Sequence, residues 1–175
     1  MRFEYLKRPI DQLLAGFTIL VMSMLVGCVV WQVFSRYVLQ QPSTSTDELA
    51  RFSMIWVGLL GAAYALGQKR HLCIDLFTTN LRGRKQFIQR LFADSCILLF
   101  AASTMIWGGG VLVLKVWTTG QISPALQMPM AYVYVVLPLS GLIICYYSVL
   151  FVLQTVSEQL LTRSHSAAVI AKEGR

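Results

Sequence analysis

Four long runs of apolar residues, separated by polar connections, set the pattern of this chain. The first runs from about Gln12 to Ser35 without a charged residue, between Asp11 and Arg36. The second covers Phe52 to Gln68, the third Ser95 to about Lys115, and the fourth about Met130 to Ser157. A helix needs about 20 apolar residues to cross the hydrocarbon core of a bilayer. A segment in lipid must also satisfy its own backbone hydrogen bonds, which selects the helix. The fold class that follows is an all-α membrane protein. Its transmembrane helices fall at about 12–35, 52–68, 95–115 and 130–157, with short interfacial amphipathic helices at about 45–51 and 72–81. Residues 1–161 form one four-helix membrane domain, and 162–175 read as a flexible cytoplasmic tail. The first run is too long for the apolar core of a signal peptide and no small-residue cleavage site follows it, so it is kept as a span.

Interruptions in the runs carry local information. Gly58, Gly61, Ala62 and Ala65 recur at helical spacing on one face of the second span, as in close helix–helix seams in membranes. Gly108-Gly109-Gly110 in the third span allows either close packing or a local bend. Pro138 in the fourth removes one backbone hydrogen bond and predicts a kink there. Before the second span, Ser45-x-x-Glu48 matches a capping box, so a helix begins near Ser45 and either runs into the span or lies on the membrane before it. In the long connection, Ile74, Phe77 and Leu81 share a helix side, which suggests an interfacial helix. Arg82-Gly83-Arg84 breaks it, and the apolar pattern of Phe87, Ile88, Leu91 and Phe92 starts the third helix near Lys85. Residues 116–129 hold Gly120, Pro124 and Pro129 with almost no charge and read as a structured loop.

Composition agrees with a membrane class. Hydrophobic residues are 56% of the 175, charged residues 13%, and the mean hydropathy is +0.62. A soluble domain carries about a quarter charged residues. The net charge of +7 is not a nucleic-acid footprint, because the bases cluster at the ends of apolar runs. Arg36, Arg51 and Lys115 lie on one side, and the other twelve of the fifteen Lys and Arg on the other. The positive-inside rule makes the richer side cytoplasmic, with both termini and the middle connection.

Candidate chemistry is sparse. No apolar run contains Asp, Glu, Lys, Arg or His, and such groups mark proton relays and substrate paths in membranes. The two histidines, His71 and His165, are far apart and offer no metal spacing, and a haem would need axial ligands of that kind. Cys28, Cys73, Cys96 and Cys145 form no CxxC motif. No phosphate loop or nucleophilic triad is present. The pattern predicts no enzyme, no catalytic or metal residue and no cofactor. It fits a scaffold, anchor or accessory subunit better than a lone carrier.

One ordered set of residues resembles a known family. Asp47-Glu48-Leu49-Ala50-Arg51 is followed by Trp56-Val57-Gly58, Gly61, Ala65 and His71-x-x-Ile74-Asp75. Ser123-Pro124-Ala125-Leu126-Gln127-Met128-Pro129, Tyr134, Leu137-Pro138 and Gly141 come later. With four spans, this resembles the small permease subunit (DctQ-like) of tripartite ATP-independent periplasmic (TRAP) transporters, over about Gln32 to Tyr147. The chain departs in carrying Thr44-Ser45-Thr46 where that family often has an aromatic residue and Ser. The resemblance implies a bacterial inner-membrane location and a non-catalytic role beside a large, multi-span subunit that carries organic acid and sodium. It also implies a periplasmic binding protein as partner. Sialic acid, other sugar acids and C4-dicarboxylates are the substrate classes implied, with sodium held by the partner subunit. A stand-alone tetraspan adaptor or assembly factor is the alternative.

Glu48 and Arg51, spaced i, i+3, are expected to pair locally or with the large subunit. Trp56, Gly58, Gly61 and Pro138 are interface or structural candidates. His71 and Asp75, spaced i, i+4, suit a structural bond that fixes a turn. Pro124 and Pro129 bracket a loop that turns the chain or meets the binding protein. Lys69, Arg70, Arg82, Arg84 and Lys85 suit anionic phospholipid headgroups.

Overall fold

The computed structural model describes residues 2–41, 43–68 and 84–173, and side chains over 8–41, 43–68, 87–89 and 91–157. The elements are α1 (Arg2–Tyr37), α2 (Thr44–Gln68), α3 (Arg84–Phe100), a π-helical segment (Ala101–Gly108), α4 (Gly109–Thr119), α5 (Ala131–Tyr134) and α6 (Val136–Glu173). Among the described residues there is no strand, only an isolated antiparallel bridge between Ile122 and Pro129. Four helical stretches are long and apolar enough to cross a membrane: Arg8–Tyr37, Thr44–Gln68, Phe87–Thr119 and Ala131–Ser157. The protein is thus an all-α membrane protein.

The segment at 45–51 is the first two turns of α2, not a separate helix. Its start also differs from the capping-box expectation. The helix opens one residue earlier, at Thr44, with the Asp47 N–H and the Thr46 hydroxyl both donating to the Ser43 carbonyl (3.3 and 3.1 Å). Ser45 and Glu48 are therefore both inside the helix, and the Glu48 carboxylate is engaged elsewhere. The expected interfacial helix at 72–81 lies outside the described residues.

α6 is the centre of the bundle. It packs on α2, on α3 and on the π-helical segment, while α1 packs on α2. The spans therefore stand in the order first, second, fourth, third. The buried cluster is Leu14, Leu60, Ala63, Val136, Tyr147 and Phe151, with Trp56, Tyr64 and Ile143 packed against it. The buried residues of α2 are Ala50, Ser53, Leu60, Ala63 and Gly67. At 3.6 residues per turn, Gly58, Ala62 and Ala65 lie roughly opposite them, and Gly61 lies roughly 100° around from them. A Cβ at Gly58 or Gly61 would have nothing within 4 Å. Within this chain the small-residue face is not a seam. Ala63 and Gly67 form the seam instead, and a Cβ on Gly67 would stand 3.0 Å from the Tyr147 ring.

Between the third and fourth spans glycine does permit close approach. A Cβ on Gly141 would lie 2.7 Å from Met105 Cβ, and one on Gly109 would lie 3.1 Å from Leu137 Cβ. Gly108 and Gly109 keep right-handed helical angles (φ −62° and −63°), and of the three glycines it is Gly109 that packs against α6, while a Cβ on Gly110 would have nothing within 4 Å. The π-helical stretch lies immediately before Gly109, and the Ser103 hydroxyl donates to the Leu99 carbonyl there (2.7 Å). Pro138 acts as its chemistry requires. It cannot donate to the Tyr134 carbonyl four residues back, and the helix breaks at Val135, between α5 and α6.

Candidate functional site

Two polar clusters sit at opposite ends of this apolar bundle. At one end the chain leaves α1, turns at 38–40 and enters α2 at Thr44; the loop between α4 and α5 meets it there. Gly120 closes α4 in the left-handed region (φ 62°, ψ 30°), and its N–H donates to the Trp117 carbonyl (3.2 Å). The loop then folds on itself. The Ser123 N–H donates to Met128 O (2.9 Å), Gln127 N–H to Ser123 O (3.1 Å), and Met130 N–H to Gln121 O (2.9 Å). Trp117 and Tyr132 meet edge to face at its base, 6.1 Å apart.

This arrangement leaves the N–H groups at the loop tip without backbone partners, and Glu48 supplies one. Its carboxylate accepts from the Ala125 N–H (3.1 and 3.2 Å), from the Leu126 N–H (3.0 Å) and from the Ser123 hydroxyl. All three groups donate, so the acceptor-only, ionised carboxylate is the form that fits. Ser123 is fully buried and Glu48 half-buried. Glu48 thus anchors the loop onto α2, a contact 75 to 78 residues apart in sequence.

The local pair expected between Glu48 and Arg51 is replaced by another. Arg51 bonds Asp47, one turn away, at 2.9 Å. Gln32 of α1 donates to the other Asp47 oxygen at 3.4 Å. Around these groups lies a cleft of about 500 Å³, lined by Gln32, Arg36, Ser43, Thr44, Asp47, Glu48, Arg51, Pro124 and Ala125. Pro124 therefore borders the cleft, and Pro129 belongs to the bridge that shapes the loop. Trp56 lies apart from the cleft, tilted against Phe17 at 5.9 Å, and ties α1 to α2.

At the opposite end, Asp11 of α1 accepts a hydrogen bond from the Tyr147 hydroxyl of α6 and another from Gln68 of α2 (3.3 Å). Three helices are joined at one carboxylate. Sequence reading did not identify Asp11, Tyr147 or the Ser123 contact, because the partners lie 57 to 136 residues apart and no local spacing announces them. Lys69, Arg70, His71, Asp75 and Arg82 lie outside the described residues, as do the side chains of Arg84 and Lys85. Among the described residues no group of His, Cys, Asp and Glu could hold a metal ion. The described contacts of the two clusters tie a loop to α2 at one end and join α1, α2 and α6 at the other.

Comparison with known proteins gives a consistent family. A family model described as tripartite ATP-independent periplasmic transporters, DctQ component, matches residues 25–158. An isethionate TRAP transporter permease protein DctMQ of Oleidesulfovibrio alaskensis is 37% identical over 95 residues, 54% of this chain and 15% of that protein. The sialic acid TRAP transporter small permease protein SiaQ of Vibrio cholerae is 25% identical over 108 residues, 62% of each chain. The C4-dicarboxylate TRAP transporter small permease protein DctQ of Rhodobacter capsulatus is 27% identical over 100 residues, 57% of this chain and 44% of that one. In each case the match spans less than two thirds of the relative's length.

Proposed function

The chain belongs to the DctQ component family of tripartite ATP-independent periplasmic transporters and is a multi-pass inner-membrane transport subunit, and from that premise we propose that it holds the large transport subunit in place without carrying solute itself. The reading rests above all on the face of α2 made by Gly58, Gly61, Ala62 and Ala65. It lies to one side of the helix's own buried face, and a Cβ on Gly58 or Gly61 would meet nothing within 4 Å. In lipid, small residues let a second helix approach closely. We assign this face to the large subunit.

The loop end, with Glu48, Pro124 and Pro129, is assigned to the periplasm on charge grounds, since Arg36, Arg51 and Lys115 are the only cations on that side. It is the side on which a periplasmic binding protein would arrive. The carried solute is proposed to be an organic acid, coupled to sodium within the large subunit. The three relatives are named for isethionate, sialic acid and C4-dicarboxylate, which leaves the particular acid open.

Co-purification tests the reading. The chain is expected to extract in mild detergent together with a large multi-span subunit and to lose it when Gly61→Leu fills the open face. Purification alone, or as a homo-oligomer, from cells making both subunits would refute the assignment and favour a stand-alone adaptor.

A further inference from the structure

We propose that the cleft between the end of α1 and the start of α2 binds the phosphate of a phospholipid headgroup, in the membrane leaflet on the loop side. The proposal rests on the chain's crossing a bilayer and not on its role in transport. Four ionised side chains line the cleft: Arg36, Asp47, Glu48 and Arg51. Three are engaged. Glu48 anchors the loop, and Asp47 bonds Arg51 and Gln32. Arg36 makes no hydrogen bond or ion pair with any described residue. The two cations and two anions balance in number, but Glu48 is satisfied by neutral donors and Asp47 by Arg51, so the Arg36 guanidinium has no anion bonded to it among the described residues. Its complement is a single negative charge, as a phosphodiester carries, and guanidinium binds such oxygens through paired N–H groups. The hydroxyls of Ser43 and Thr44 border the same space and add donors. A volume of about 500 Å³ accommodates a headgroup.

Depth favours a lipid over a soluble anion. Arg36 is the first charged residue after the apolar run that begins at Gln12. It lies little more than one turn beyond Trp31, which is half-exposed and rests against Phe34 (5.9 Å). Amphipathic aromatics settle at the level of the headgroups. Below Arg36, on the same helix face, Val29 and Val33 are exposed and offer an apolar path for an acyl chain. The site is distinct from the basic residues of the long connection, which flank the other ends of the spans.

The full chain purified in detergent, incubated with phosphatidylglycerol or phosphatidylethanolamine in mixed micelles, supplies the test by native mass spectrometry. Retained lipid is expected to fall about tenfold in Arg36→Gln, the loss of one charge-assisted contact. Arg36→Lys should keep part of the retention, because the charge stays and the paired donors go. Lys115→Gln removes an exposed cation outside the cleft and should change nothing. Inorganic phosphate at millimolar concentration should not displace the lipid. Lipid retention equal to wild type in Arg36→Gln would overturn the proposal. So would full displacement by inorganic phosphate, which would make this a free-anion site. Loss of binding-protein capture in Arg36→Gln with lipid retention unchanged would assign the cleft to a protein carboxylate instead.

Discussion

Glu48 carries the clearest consequence of a single residue. Its carboxylate receives three donors from one loop, whereas Asp47, its neighbour, pairs with Arg51 on an exposed surface. The two acids should therefore answer mutation differently. Glu48→Ala is expected to release the loop, with amide hydrogen exchange at Ala125 and Leu126 faster by about tenfold. Glu48→Gln should fall between, since its amide keeps one acceptor but turns an NH2 toward donors. Asp47→Asn should shift stability by less than about 1 kcal/mol, as exposed ion pairs do. Exchange at Ala125 and Leu126 equal to wild type in Glu48→Ala would disprove the anchoring role. At the other end, Tyr147→Phe removes the hydroxyl that reaches Asp11 and should cost about 1 kcal/mol in detergent unfolding. The sequence marks Glu48 as notable through its place beside Asp47 and Arg51, but it does not point to Ser123, Ala125 and Leu126. Spacing of three or four residues reveals only what lies on the same helix, and the true partner is on a loop that comes back from the far side of the bundle.

Glycines distinguish the elements. Gly141 faces the π-helical segment so closely that any side chain must displace Met105 or the Ile106 backbone. Gly141→Ala is expected to destabilise the protein by about 1–3 kcal/mol through overpacking. Gly58→Ala, on the open face of α2, should stay within about 1 kcal/mol of wild type in the isolated chain. Thermal unfolding in one detergent compares the two directly, and equal losses would show that the α6 contact is looser than the geometry indicates. The four spans were legible, because apolar length sets them and lipid leaves the backbone no other solution, but α6 runs on to Glu173 where a flexible tail was expected from 162. The break near Pro138 was legible too, because a missing N–H acts locally. The π-helical stretch was not. Its widened turn matches a surface on α6, and nothing in residues 101–108 alone specifies that surface.

At the scale of the whole molecule, the spans form a row centred on α6, and many large apolar side chains remain outside it. Leu13, Leu99 and Trp107 are each more than 70% exposed. For a chain in lipid such exposure is not a defect, and part of it is the surface we assign to the large subunit. In a transport assay of the reconstituted complex, Gly61→Leu is expected to lower uptake in step with lost co-purification, while the isolated chain keeps its unfolding temperature. Full uptake with intact assembly would place the partner on another face. The sequence by itself determined the membrane class, the four spans and, through its ordered motif, the family. Those depend on length, hydropathy and the order of residues, quantities that exist before the chain folds. Only the tertiary structure decided which face of α2 is spent inside the chain and which is left open. It alone showed that Glu48 holds the loop, that Asp11 joins three helices and that Arg36 has no partner among the described residues. Each is a relation between residues far apart in the chain, and such relations exist only once the helices have taken their places.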